Sequence, residues 1–75
     1  MIKAEFLDPE DIHRCHAFGA AIRALARQHN VAHHVDLKTA IKLSKLGDIE
    51  SATSVARHIG IPEDTLMSVR TLIFG

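Results

Sequence analysis

The chain has no tryptophan and no tyrosine, and only three phenylalanines among its 75 residues. An interior of stacked aromatic rings is therefore excluded, and the core must be assembled from Ile, Leu, Val and Ala. A single cysteine, Cys15, excludes an intramolecular disulfide framework. Nothing resembles a secretory signal, and no apolar run is long enough to span a bilayer. Neither sign of charge is in excess, since nine basic side chains face nine acidic ones. A dedicated nucleic-acid binder usually carries a basic surplus, because affinity comes largely from neutralising phosphates. Here a local patch would have to supply it. There is no linker, low-complexity segment or internal repeat. At this length one domain is expected, near the lower limit for a self-sufficient core, and a homodimer would add buried surface.

What is present is helical periodicity. Residues 1–7 alternate Ile2, Ala4 and Phe6 against Lys3 and Glu5, and are expected as an extended arm. Asp8-Pro9-Glu10-Asp11 is a helix start: an N-cap, a proline at the first position, and acids in the first turn. Ile12, Cys15, Gly19, Ile22 and Ala26 then recur at three- and four-residue steps, with Phe18 and Leu25 widening the stripe. This predicts a long amphipathic helix within 8–30, ending near Gln28 to Asn30, with Asn30 as a left-handed cap. Arg14, Arg23 and Arg27 lie off the apolar seam. Val31 to Val35 reads as a connector, and Asp36 is expected to cap a second helix with Leu37, Ala40, Ile41 and Ser44 inward. Lys38, Lys42 and Lys45 make a basic stripe on its outer side. Gly47 ends that helix and Asp48 starts the next. A tri-helical core is expected over 36–73.

The stretch 52–71 organises the rest. Val55, Ala56 and Ile59 share one helix face, Gly60 permits a tight exit, and Ile61 turns back to the core. Pro62, Glu63 and Asp64 open a fourth helix, with Leu66, Val69 and then Leu72 or Ile73 inward and Phe74-Gly75 as a terminus. In this spacing the segment resembles the helix-turn-helix of bacterial DNA-binding proteins. The family's small residue falls on Ala56, its turn glycine on Gly60, and its buried positions on Val55, Ile59, Ile61, Leu66 and Val69. The resemblance implies that the fourth helix is offered to the major groove. Its outward candidates are Arg70, Ser68, Thr71 and Met67, beside Glu63 and Asp64, whose carboxylates would repel phosphates or accept from a cytosine amino group. Lys38, Lys42 and Lys45 would hold the backbone.

Six histidines are many for this length. His13, His16, His29 and His33 repeat the ligand spacing of a zinc finger with both cysteines replaced by histidine. Yet the residues between read as continuous helix, which leaves His16 and His29 about 140° apart around the axis. No metal site is expected from them; they read as half-exposed polar residues, with a pair at His33 and His34 sensitive to mildly acidic pH. Catalytic signals are also missing. No phosphate loop, activated serine or paired inner carboxylates occur, and Cys15 points about 100° away from His16 on a helix.

The expectation is thus an all-α, four-helix domain whose tri-helical helix-turn-helix core follows a longer amphipathic helix. It is read as non-enzymatic, without cofactor, membrane contact or small-molecule substrate, in a bacterial or phage cytoplasm. Two functions compete. One is a dimeric regulator on double-stranded DNA, using Arg70, Ser68, Thr71, Met67, Lys38, Lys42 and Lys45. The other is an adaptor or inhibitor that docks a helical face, with the apolar end Leu72-Ile73-Phe74, on a protein partner.

Overall fold

The computed structural model describes residues 8–75, so the arm expected over 1–7 lies outside the described residues. Four helices follow in order: α1 (Pro9–Gln28), α2 (Leu37–Lys45), α3 (Ile49–His58) and α4 (Glu63–Phe74). The protein is all-α. No helix among the described residues is long and apolar enough to cross a membrane.

Helix α1 begins as its sequence predicts. Asp8 accepts from the Asp11 amide at 2.9 Å, and Pro9 occupies the first turn, where its missing N–H costs nothing. Arg14 reaches back to Asp11 at 3.1 Å and to Glu10 at 3.8 Å. One device ends three successive helices. At the end of α1, Asn30 takes a φ of 61°, its amide bonds to Arg27 O, and Val31 N bonds to Ala26 O. At the end of α2 the same pair of bonds runs from Gly47 and Asp48 to Ser44 and Leu43, and after α3 from Gly60 and Ile61 to Arg57 and Ala56. Each left-handed residue turns the chain so that two orphan carbonyls gain donors.

Two helix starts depart from the sequence reading. Asp36 precedes α2, but its side chain makes no capping bond. Its backbone is held near φ −85°, ψ −1° by the preceding turn, whereas a capping residue needs an extended ψ to lay its carboxylate over the next amides. Pro62 stands one residue ahead of α4, in extended conformation, instead of inside its first turn. Asp48 behaves as expected and accepts from the Ser51 amide at 3.1 Å.

The core joins all four helices. Phe18, Ile22 and Ala26 of α1 are fully buried against Ala40 of α2, Ala52 and Ala56 of α3, and Leu66 of α4, with Ile59 and Ile61 filling the α3–α4 connection. Helix α2 packs on both α1 and α3, and α4 on α1 and α3. The first helix therefore supplies the centre of the interior. Gly19 is buried where α2 crosses α1, against Ile41 and Ser44. At the far end Phe74 is not a loose terminus, because its ring meets Phe18 edge-on at 6.0 Å between centroids. Ile73 is the half-buried residue of the last α4 turn, and Leu72 is 85% exposed.

Candidate nucleic-acid interface

Lys38, Lys42 and Lys45 recur at steps of four and three, so they stand on one side of α2, and all three are exposed. Together with Arg23 of α1 and the side of Ile41 they line a groove of about 310 Å3. A second groove of about 670 Å3 shares Arg23, Lys38 and Ile41 and continues past Arg27 to the connector, where His33 and His34 form its wall. The two make one trough between α1 and α2. Among the described residues no carboxylate lines it. Nor is Arg23, Arg27, Lys38, Lys42 or Lys45 ion-paired there, whereas Arg14 and Arg57 both are. Five cations are thus gathered along one trough, with the Asp36 carboxylate 3.9 Å from His34 Nδ1 at its connector end. At about 1.5 Å per residue the lysine row spans roughly 10 Å.

The sequence reading placed the lysines here but did not foresee Arg23, Arg27, His33 or His34 as their neighbours. A signal existed. Arg23 and Arg27 form an i, i+4 cationic pair shortly before a connector, and Lys38 and Lys42 form another just after it. Two helices joined so closely bring those pairs side by side.

The α4 candidates stand elsewhere. Met67, Arg70 and Thr71 line a smaller groove with Ile49 and Phe74, while Ser68 is exposed outside it. The Arg70 guanidinium lies 3.9 Å from the Met67 sulfur and has no carboxylate partner among the described residues. Thr71 Oγ1 donates to the Met67 carbonyl at 3.0 Å, which commits its proton within the helix and leaves its lone pairs for a donor. Glu63 is paired with Arg57 at 3.1 Å, tying α3 to α4, and Asp64 is exposed. The lysines and the α4 side chains therefore line separate grooves.

The histidines do not gather as a finger would. Among the described residues no group of three or more His, Cys, Asp or Glu could hold a metal ion. His34 Nδ1 accepts from the Asp36 amide at 3.1 Å, and its ring meets His58 edge-on with centroids 6.3 Å apart. Burial pushes the Cys15 thiol up from its ordinary value, with a smaller push from the Asp11 carboxylate. A thiol kept protonated is a poor nucleophile. Compared with known proteins, the chain matches no family model, no curated protein and no solved structure.

Proposed function

We propose that the protein is a small DNA-binding regulator that grips the phosphate backbone in the α1–α2 trough. The observation that carries this reading is the run of Arg23, Arg27, Lys38, Lys42 and Lys45 along one trough, without a carboxylate or an ion pair among the described residues. Unpaired cations confined to one groove repel each other, and a polyanion relieves that repulsion while releasing counterions. A lysine row of roughly 10 Å spans about three phosphates of one strand, spaced about 3.4 Å along the axis. In this reading Arg70, Ser68, Thr71 and Met67 on α4 carry whatever base discrimination there is, with Arg70 as the guanine or phosphate contact. A homodimer would repeat the half-site about one helical turn away.

The test is binding to random-sequence duplex DNA across a salt series. Affinity should fall on a log–log plot with a slope of about −0.9 per phosphate neutralised, so three to five contacts give roughly −3 to −5. Changing Lys42 or Lys45 to Gln should flatten the slope by about one each. Absence of binding at low salt would sink the reading.

A second reading, a protein-docking adaptor, is favoured by one feature. Leu72, 85% exposed, stands on α4 in a row with exposed Ser68 and Asp64 at steps of four, a surface better suited to a protein than to phosphates. Pull-down with wild type and Leu72→Lys as bait separates the two readings, since only docking through α4 loses its prey in the variant.

A further inference from the structure

The trough is not alike at its two ends. At its Lys45 end the lining comes from α1 and α2 alone, whereas beyond Arg27 the connector residues Ala32, His33, His34 and Val35 join it. That end is a cavity of about 670 Å3 whose wall carries Arg23, Arg27, His33, His34 and Lys38, over an apolar floor that includes Leu37 and Ile41. There a ligand is met by α1, the connector and α2 together.

We infer that this connector end binds a phosphomonoester dianion, held by Arg23, Arg27 and Lys38 and by His33 and His34. The inference rests on the nucleic-acid reading only in sharing Arg23, Arg27 and Lys38 with it. Three fixed cations from two helices converge on the cavity, and guanidinium groups can offer two parallel donors to phosphate oxygens.

The histidines set the pH response. His34 shares the cavity wall with Arg23 and Arg27 from α1, Lys38 from α2 and His33 from the connector, while its ring meets His58 from α3 and the Asp36 carboxylate lies 3.9 Å from its Nδ1. His33 shares the same three fixed cations. A dianion favours the charged form of any imidazole beside it, so its binding should tighten as pH falls through the ordinary histidine range. His34 Nδ1 accepts from the Asp36 amide, which leaves Nε2–H as the ring's donor.

The decisive experiment titrates the full chain with sulfate, a dianion throughout this pH range, and with inorganic phosphate, following backbone amides by NMR. Saturable shifts are expected at residues 32–38. Arg23→Gln and Arg27→Gln should each weaken binding by about tenfold, and Lys45→Gln by less than about twofold, as expected for a charge-assisted contact against a distant one. Sulfate should bind several-fold tighter near pH 5.5 than near pH 7.5, and His33→Gln/His34→Gln should abolish that difference. Thermal melts monitor the fold of each variant, all of whose changes are at exposed positions. Shifts spread evenly along the lysine row, or no loss in Arg23→Gln, would overturn the inference. A 5′-phosphorylated oligonucleotide preferred over its 5′-hydroxyl twin identifies a nucleic-acid end as the source. Equal binding of the twins, with phosphate still held, identifies a free small phosphate. Duplex affinity that depends on Lys42 and Lys45 while sulfate fails to bind would remove the subsite and leave the DNA reading intact.

Discussion

Ser44 of α2 donates its buried hydroxyl to the carbonyl of Cys15 on α1, at the crossing of the two helices beside Gly19. That carbonyl sits in mid-helix, so the hydroxyl is an additional donor bridging the two elements that frame the trough. Changing Ser44 to Ala removes the donor without stranding the acceptor. The expected cost is about 1 kcal/mol in urea unfolding, the net value of a typical hydrogen bond. A loss above about 3 kcal/mol would mean that the hydroxyl does more than bridge.

Two glycines should respond in opposite ways. A Cβ at Gly19 would lie 3.5 Å from the nearest Ile41 atom, ordinary van der Waals contact inside a helix. Gly19→Ala should therefore raise stability by about 0.5–1 kcal/mol through helix propensity and a less free unfolded chain. Gly60 has a φ of 117°, and a Cβ there would approach Val31 to 3.3 Å. Gly60→Ala should lower stability by more than about 1 kcal/mol. Thermal melts of both variants check the pair of signs.

Cys15 gives a pH dependence with a definite sign. Its thiol is raised by burial and, less, by Asp11, so the folded state holds the proton more firmly than the unfolded chain. Its contribution is fully present below the unfolded thiol value of about 8.5 and is lost as pH rises through the higher folded value. Stability should therefore decline above about pH 8.5, and that part of the decline should vanish in Cys15→Ala. Equilibrium unfolding at several alkaline pH values tests it, and an identical slope in the variant would contradict it.

At the end of α4, neighbouring apolar residues should differ sharply. Phe74 packs its ring edge on Phe18, while Leu72 is 85% exposed. Phe74→Ala should cost about 1–2 kcal/mol and Leu72→Ala less than about 0.5 kcal/mol. Comparable losses from both would place Leu72 under cover in solution, as in a dimer.

Arg70 is the α4 residue on which base discrimination depends in the DNA reading. Arg70→Ala should weaken binding to a selected site by about 1–3 kcal/mol and relax the preference at one base position. Unchanged affinity in a gel-shift or fluorescence titration would remove Arg70 from the interface and leave the trough as the sole contact.

The sequence by itself determined the helices, because their signals are local. Asp8 with Pro9, Asp48, and the left-handed Asn30, Gly47 and Gly60 fix where helices start and stop through bonds spanning only a few residues. The apolar spacing of Phe18, Ile22, Ala40, Ile41, Ala56 and Leu66 likewise selected the inward faces, since a helix repeats its direction every three to four residues. Even so, Asp36 escaped a local reading, because the turn before it set a backbone angle that its side chain could not override. The tertiary structure alone decided that α1 runs through the core, that Phe74 closes on Phe18, and that Arg23 and Arg27 join the lysines of α2 around His33 and His34. The physical reason is range. A helix face and its cap are properties of one segment, whereas a trough of like charges exists only once two segments have packed and the acids have been left elsewhere.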